Sequence, residues 1–258
     1  MKGVISMGRL MRAILLGVLL LLLALPSAYP QEGPTAEEIL ERAVAALYPE
    51  NFVATTELEN VGGEEEQSVY KFQVYRKGSA KVLLKILEPE EAAGQAILRV
   101  GDELWIFYPT ICKLLPLGTK APLFGTAFSF GDLARLDLVQ DYTPQLLGIE
   151  ELEGQEAYKL ELTAVDETIA YAKVLYWVEV ESFLPLRAEF YTVSGKLLRI
   201  LTYAEPRELA GALRPSKFIM ESTISEVRTI MTILEMEARD DLPDELFTEE
   251  YLLGTCQS

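Results

Sequence analysis

The side chains that most often carry out covalent catalysis are scarce in this sequence. The chain has 258 residues and no histidine, which excludes Ser-His-Asp and Cys-His catalytic groups and every histidine-ligated metal site. It also has no G-x-S-x-G turn, no phosphate-binding loop and no dinucleotide-binding glycine motif. Carboxylate chemistry and Ser-Lys chemistry remain open on composition alone.

Carboxylates are abundant, but they occur in runs without a ligand pattern. Glu64–Glu66 and Asp240–Asp241 lie in stretches that resemble solvated turns. A calcium loop needs oxygen ligands at defined spacing, and neither run provides it. We therefore expect no catalytic residue, no cofactor and no metal site.

The charge and the cysteines limit the partners and the compartment. The formal net charge is −17, which disfavours nucleic acids and anionic head groups as partners and favours solubility. Cys112 and Cys256 are the only cysteines. An exported location would allow a disulfide between them, but the sequence does not decide whether they meet.

The N-terminus has the order of an export signal. Lys2, Arg9 and Arg12 precede the apolar run 13–25, which is shorter than the ~20 residues of a membrane span. Pro26, Ser27 and Ala28 follow. We predict a signal peptide over 1–28, whose removal would change the net charge from −17 to about −20. An uncleaved membrane anchor is the alternative.

One helix and about a dozen strands are predicted after the signal. Thr35 and Glu38 have the spacing of a capping box, so the helix is placed at 35–48. Short turns between strands favour antiparallel pairing in a single domain, residues 29–258. The predicted strands are 52–60, 68–78, 80–90, 95–100, 103–108, 111–116, 138–144, 146–152, 156–164, 172–182, 184–193, 196–206, 214–225 and 228–240, followed by a terminal turn or helix at 242–252.

Two segments are more apolar than their predicted structure requires. Leu104–Tyr108 is apolar on both faces: strand alternation places Trp105 and Phe107 together, opposite Leu104, Ile106 and Tyr108. The same alternation groups Ile230, Leu234 and Met236 on one face of the last strand, opposite Met231 and Ile233. The insert 117–135 carries Leu123, Phe124, Phe128 and Phe130, too apolar a set for a wet loop. We expect both segments to be buried, in ordinary core or around a cavity.

Three segments of the chain form a recognisable set: "EPEEAAGQAILRVGDELWIFYP", "LFGTAFSFGDL" and "LPDELFT". Through them the chain resembles the LolA-like outer-membrane lipoprotein-sorting family, over roughly residues 35–252. The matching motif residues are Pro89, Gly94, Trp105, Pro109, Phe124, Gly125, Phe128, Ser129, Asp132, Leu133 and Phe247.

The departures from the family pattern remove polar groups. Phe107 stands where the family has Tyr, Ala127 where it has Asp, and Phe130-Gly131 where it has Tyr-Glu. A basic cluster is reduced to Lys113 and Lys120. From its type, we expect Asp132 to cap a helix or support a turn.

The resemblance implies an unclosed, strongly curved antiparallel barrel with a helical lid, of the mainly β class with helices. It implies an apolar cavity for acyl chains, with Trp105, Phe107, Phe124, Phe128 and Phe130 as candidate wall or lid residues. It also implies an exported, periplasmic carrier of lipid or lipoprotein, with membrane-bound donor and acceptor proteins. A sensor or adaptor that binds a lipidated ligand and a partner protein is the alternative. A hydrolase that uses acidic residues has least support.

Overall fold

The computed structural model describes residues 33–61, 69–118, 120–134, 137–225 and 227–256. The predicted signal, 1–28, and most of the acidic turn that contains Glu64–Glu66 lie outside these ranges. Within the described ranges, no helix is both long enough and apolar enough to cross a membrane.

The predicted N-terminal helix is confirmed as α1, Ala36–Leu47. Its capping box is formed: Thr35 Oγ1 accepts from Glu38 N at 3.2 Å, and Glu38 Oε2 accepts from Thr35 N at 2.9 Å. These contacts satisfy two amide groups that a helix start leaves unpaired. One face is buried, through Ile39, Leu40, Ala43 and Leu47.

A single 13-stranded sheet contains the described strands, and every neighbouring pair is antiparallel. The strands are β1 Asn51–Val61, β2 Val69–Lys77, β3 Lys81–Glu88, β4 Ala96–Val100, β5 Glu103–Tyr108, β6 Lys113–Pro116, β7 Tyr142–Leu152, β8 Gln155–Ala164, β9 Lys173–Glu179, β10 Pro185–Tyr191, β11 Leu197–Leu209, β12 Ala212–Ser222 and β13 Arg228–Ala238. The short helices are α2 Phe130–Ala134, α3 Leu138–Asp141 and α4 Glu249–Gly254, with a 3₁₀ turn at Asp244–Phe247.

The sheet consists of two meanders joined through the pairing of β1 with β13. Strands β1 to β6 extend in sequence order toward one edge, and β13 back to β7 extend toward the other. The two edge strands, β6 and β7, do not pair with each other in this order. The barrel is therefore unclosed, and the predicted fold class is confirmed.

The sheet curls strongly around one face. Val82 of β3 and Phe190 of β10 line the same cavity, although they lie six strand spacings apart in the sheet. A flat sheet would separate them by about 29 Å. We call the concave side the inner face and the convex side the outer face.

The insert between β6 and β7 extends over residues 117–141, beyond the predicted end at 135, and passes from one sheet edge to the other. It folds back on itself, since Leu123 N donates to Phe128 O at 2.8 Å and Phe130 N donates to Ala121 O at 3.0 Å. Leu123, Phe128 and Phe130 are buried in the same core as α1. The insert and α1 therefore cover the inner face together.

The prediction of two strands, 138–144 and 146–152, is wrong in two respects: the first residues are helical, and the rest form one strand instead of two. Residues 138–141 form α3, because Asp137 Oδ1 accepts from Val139 N at 3.2 Å and from Gln140 N at 3.1 Å as its N-cap. The remainder is one strand, β7, with a register shift between Leu146 and Gly148. A bulge of this kind interrupts the pairing without ending the strand.

Strands β3 to β5 are apolar on both faces because protein covers both. In β3, Val82, Leu84 and Ile86 belong to the inner core, while Leu83 belongs to an outer cluster. The C-terminal segment, residues 242–256, supplies the cover on the outer side. The buried outer cluster consists of Leu83, Ala96, Leu98, Phe107, Leu242, Leu246, Phe247 and Leu252.

A disulfide joins Cys112, in the turn between β5 and β6, to Cys256 after α4. The two cysteines are separated by 144 positions in the sequence. The bond therefore fastens the C-terminal segment to the edge of the sheet whose outer face it covers. It settles a pairing that the sequence left open.

The face assignment predicted for the last strand is wrong beyond Leu234. In the pairing of β1 with β13, Thr55 opposes Glu235 and Thr56 opposes Ile233, so Leu234 is an extra residue. The Arg207 guanidinium donates to the Ile233 and Leu234 carbonyls at this bulge. Because the bulge reverses the alternation, Met236 lines the inner cavity with Met231 and Ile233.

Asp244 attaches the C-terminal segment to the β2–β3 hairpin. Its Oδ1 accepts from Lys77 Nζ at 2.7 Å and from Lys81 Nζ at 2.8 Å. Both ammonium groups lower the pKa of the Asp244 carboxyl to about 2 from its ordinary 3.8. A depressed folded pKa stabilises the fold above the unfolded pKa, and this contribution is lost as the pH falls toward the folded value.

We therefore predict that Asp244→Asn lowers the melting temperature at about pH 6. The difference from the parent protein should shrink between about pH 4 and pH 2, as the parent carboxylate is protonated. Thermal unfolding followed by circular dichroism across this range measures it. A difference that is independent of pH would contradict the role of the Asp244 carboxylate.

Candidate functional site

An apolar cavity of about 140 Å³ lies between the inner face, α1 and the insert. Its wall comes from α1, from seven strands and from the insert. The lining residues are Val44, Leu47, Tyr48, Phe52, Ala54, Thr56, Val74, Arg76, Val82, Leu84, Phe128, Asp132, Leu133, Leu138, Phe190, Leu201, Tyr203, Phe218, Met220, Met231, Ile233 and Met236.

The cavity wall is mostly aliphatic, aromatic or thioether. Three methionines, Met220, Met231 and Met236, line it along β12 and β13. Methionine is unbranched and adapts to irregular space, so this part of the wall can accommodate ligands of different shape. The wall favours an apolar ligand over any polar one.

The size of the cavity limits what it holds in this conformation. A dry cavity of ~150 Å³ accepts a ligand the size of benzene. Pockets for drug-sized ligands are larger, ~300–1,000 Å³. At about 140 Å³, the cavity admits one end of a chain, and a longer ligand requires wall residues to move. The insert and α1 are the parts of the wall that do not belong to the sheet.

Polar side chains also line this apolar space, namely Tyr48, Thr56, Arg76, Asp132 and Tyr203. Thr56 is 5 % exposed, and within the described part of the chain its Oγ1 has no hydrogen-bond partner. The Tyr203 ring packs edge-on against Phe218 at 5.4 Å, and burial raises the pKa of its phenol. Tyr203 thus stays neutral, and Thr56 leaves one hydroxyl available to a ligand.

Asp132 fixes the insert to the sheet. Its carboxylate accepts from Arg199 Nη1 at 2.6 Å and from the Tyr171 hydroxyl at 2.7 Å, and only 4 % of its side chain is exposed. It also accepts from Ser129 N at 2.6 Å, while Ser129 Oγ accepts from Asp132 N at 3.2 Å. The structure thus confirms the expected turn-supporting role of Asp132 and adds an ion pair to β11.

A second attachment lies at Ala127. Its amide donates to Thr229 Oγ1 at 2.8 Å, and the Thr229 hydroxyl donates to Asn60 Oδ1 at 2.7 Å. Ala127 uses its backbone here, so the attachment does not need the Asp that the family has at this position. Polar contacts and the buried side chains of the insert, rather than a continuous strand pairing, therefore hold it over the cavity.

The predicted site residues of the insert lie on the cavity side. Phe128 lines the cavity. Phe124 stacks on Tyr70 with ring centroids 4.7 Å apart, and Phe130 meets Phe124 edge-on at 5.6 Å. Phe124 and Phe130 thus belong to the core that supports the insert, next to the wall.

Trp105 and Phe107 are not in the cavity wall, and their predicted placement is corrected. Both point to the outer face, where Phe107 is 1 % exposed and Trp105 packs beside it. Leu104, on the other side of β5, belongs to the inner core. The C-terminal segment, through Phe247, covers the face that we expected to line the ligand cavity.

Several wall residues were missed because their strands look like ordinary sheet. Leu201 and Tyr203 of β11, and Phe218 and Met220 of β12, are two residues apart, a spacing that places each pair on one face but does not mark a cavity. Val44 and Tyr48 lie near the end of α1. Only the curvature of the sheet brings these residues opposite the insert.

The motif residues Gly94 and Pro109 meet in space. Gly94 has a φ of +83°, and a Cβ at this position would lie 3.4 Å from Pro109 Cγ. The residue that ends the β3–β4 turn therefore packs directly against the end of β5. Glycine suits both the positive φ and this close approach.

Comparison with solved structures places the chain in a family. A crystal structure of a LolA superfamily protein from Nitrosomonas europaea is 35 % identical, with a TM-score of 0.78, and the match covers 85 % of this chain and 100 % of that one. The chain belongs to the LolA superfamily. A family model described only as "uncharacterized protein" matches residues 78–253. Among curated proteins, none matches the sequence.

Two more distant structures share the LolA-like fold. A putative outer membrane lipoprotein-sorting protein domain from Vibrio parahaemolyticus is 21 % identical, with a TM-score of 0.74, covering 84 % of this chain and 98 % of that one. A DUF1329 family protein from Desulfovibrio piger is 19 % identical, with a TM-score of 0.76, covering 84 % and 97 %. At these identities the similarity establishes the fold alone.

We predict that Asp132 and Arg199 are strongly coupled. Removing one partner of a buried pair leaves the other charge uncompensated, so Asp132→Ala or Arg199→Ala should each cost about 3 kcal/mol of unfolding free energy. The double variant should lose clearly less than the sum of the two. Urea denaturation of the four proteins measures this coupling.

The surface pair Lys217–Glu205, with nitrogen and oxygen 2.6 Å apart, is the matched control. Its Glu205 side chain is 64 % exposed, so its coupling should stay below about 1 kcal/mol. Additive losses at Asp132 and Arg199 would show that this pair does not fix the insert.

Proposed function

We propose that the chain is an exported carrier that binds acyl chains of lipid or of lipoprotein in its inner cavity. The observation that carries the proposal is an apolar cavity enclosed by the curved sheet, α1 and a separately attached insert. Binding requires no covalent step, in keeping with a sequence that lacks histidine and nucleophile motifs. The proposed architecture is a signal peptide at 1–28 followed by one LolA-like domain at 29–258.

The hydrophobic effect supplies the driving force for this binding. Each buried methylene contributes about 0.8 kcal/mol, so about ten methylenes approach the 8 kcal/mol of a micromolar complex before binding costs are subtracted. The cavity of about 140 Å³ takes only part of such a chain. Uptake of the rest needs the insert to move away from the sheet.

The insert supplies the proposed gate. Its attachments at Asp132 and Ala127 are hydrogen bonds and one ion pair, which form and break without unfolding the sheet. An open insert exposes the apolar wall, so opening favours transfer to an acceptor that offers equal burial. This behaviour suits a carrier between a membrane-bound donor and an acceptor.

Membership in the LolA superfamily supports this assignment. The Vibrio parahaemolyticus structure with the same fold is described as an outer membrane lipoprotein-sorting domain. We propose a comparable role for this chain, in lipoprotein sorting or lipid transfer, with a periplasmic location in a host that has an outer membrane. Its proposed partners are acyl chains and the proteins that deliver and accept them.

We predict that Phe128→Ser weakens uptake of a fluorescent fatty acid about tenfold, because an unpaired hydroxyl in a dry wall is unfavourable. Phe107→Ser is the matched control, since Phe107 is equally buried but lies on the outer face. Both variants should lose stability, about 3–5 kcal/mol. Fluorescence titration at equal folded fraction separates binding from stability.

A second variant avoids a large loss of stability. Ala54 lies in the cavity wall, so Ala54→Leu should fill part of the space and reduce uptake while the protein stays folded. Equal uptake by the parent, Phe128→Ser and Ala54→Leu proteins would refute the cavity as the acyl-chain site.

Export is tested by the mature N-terminus. Expression in a bacterium with an outer membrane should yield a protein that starts near Tyr29 in the periplasmic fraction. N-terminal sequencing of that fraction measures it. A chain that still begins at Met1 and sediments with membranes would indicate the uncleaved anchor.

A further inference from the structure

A groove of about 450 Å³ adjoins the cavity near the end of α1. Val44, Tyr48 and Arg76 line both the groove and the cavity, so the two spaces adjoin at these residues, and we call this place the passage. The other groove residues come from α1, the connection between α1 and β1, the β2–β3 hairpin, and α3 with its N-cap. They are Glu41, Ala45, Pro49, Glu50, Gly78, Ser79, Asp137, Val139 and Gln140.

Arg76 is held in this passage with part of its guanidinium unused. Its Nε donates to Gly78 O at 3.1 Å, and its guanidinium carbon lies 4.4 Å from the centre of the Tyr48 ring. Among the described residues, no acceptor is paired with its two terminal nitrogens. Two adjacent N–H donors of this kind match the oxygens of a phosphate or carboxylate.

The rest of the groove has the opposite charge. Among its described lining residues, Arg76 is the one basic side chain, while Glu41, Glu50 and Asp137 are acidic. Glu41 and Glu50 are exposed, whereas Asp137 is partly occupied as the N-cap of α3. From the cavity outward, the lining is therefore first apolar, then cationic at Arg76, and then anionic at Glu41 and Glu50.

We propose that this passage binds the head group of a zwitterionic phospholipid, with its phosphate at Arg76 and its ammonium group at the acidic groove. The inference rests on the proposed acyl-chain function and specifies the ligand. In a phosphoethanolamine lipid, the chain is followed by a negative phosphate and then by a positive amine. That order is complementary to the cavity, Arg76 and the two exposed glutamates.

Other head groups match this order less well. A fatty acid carboxylate pairs with Arg76 but brings no cation to Glu41 and Glu50. A phosphoglycerol head group also pairs with Arg76 and leaves the glutamates without a partner, near its negative charge. A neutral glyceride uses neither charge. The two charged regions thus distinguish a zwitterion from an anion and from a neutral lipid.

The test compares three ligands with the same lauroyl chain: lysophosphatidylethanolamine, lysophosphatidylglycerol and monoacylglycerol. Each displaces a fluorescent fatty acid from the full mature protein, below its micelle concentration. We expect lysophosphatidylethanolamine to bind about tenfold more tightly than monoacylglycerol, because charge-assisted hydrogen bonds form only with the phosphate. It should also bind more tightly than lysophosphatidylglycerol.

Variants assign the preference to its two charged regions. Arg76→Gln should remove most of the preference for lysophosphatidylethanolamine over monoacylglycerol, and Arg76→Lys should retain part of it. Glu41→Gln combined with Glu50→Gln should reduce the preference over lysophosphatidylglycerol. Glu151→Gln combined with Glu156→Gln changes the net charge equally at residues that line neither space, and should leave both ratios as they are.

Each contrary result has a distinct meaning. Equal binding of the three ligands, or ratios unaffected by Arg76→Gln, would overturn the head-group site while leaving the carrier proposal intact. Equal weakening of all three ligands by Arg76→Gln would show that Arg76 only supports the fold, and would also overturn it. Absence of binding by every lauroyl ligand would refute both proposals.

Discussion

An antiparallel sheet that curls without closing leaves an apolar inner face, and the rest of this structure depends on covering it. The sheet ends at β6 on one side and β7 on the other, so the chain between them has to travel from edge to edge. The insert crosses between the two edges on the inner side, and α1 covers the rest of the inner face. The insert is held by polar contacts and by its buried apolar side chains, and our proposal requires it to move while the sheet stays intact. A cavity whose wall is partly built from segments outside the sheet follows from this topology.

The outer face of the sheet is also apolar in part, and a different segment covers it. Strands β3 to β5 are apolar on this side too, but the C-terminal segment covers them and the disulfide between Cys112 and Cys256 fastens it. The two covers differ in chemistry. A covalent bond and Asp244 hold the outer one, whereas the inner one depends on Asp132, Arg199 and the Ala127 amide. A disulfide thus fastens the outer cover, whereas the inner cover is held by non-covalent contacts.

Local patterns in the sequence predicted much of the fold. The site depends on contacts between residues far apart in the chain, and the local patterns did not predict it. The capping box at Thr35 and Glu38 is a contact between near neighbours, so its spacing was sufficient to place α1. Two-sided apolarity showed that β5 is covered on both faces, but not that Phe247 covers the face with Trp105 and Phe107. The bulge at Leu234 reverses the alternation through a pairing with β1, and periodicity within one strand contains no trace of it. The cavity wall needs the curvature of the whole sheet, which no single segment encodes.

The composition of the chain provides a direct test of the central claim. The six methionines are Met1, Met7, Met11, Met220, Met231 and Met236, and the first three lie in the predicted signal. The mature protein would therefore carry three, and all three line the cavity. Labelling their methyl groups with ¹³C gives three NMR signals that report only on this wall. On titration with a nitroxide-labelled fatty acid, an acyl-chain site in the cavity predicts that all three signals broaden and recover when the nitroxide is reduced. Three signals that remain sharp while the fatty acid binds elsewhere would contradict it.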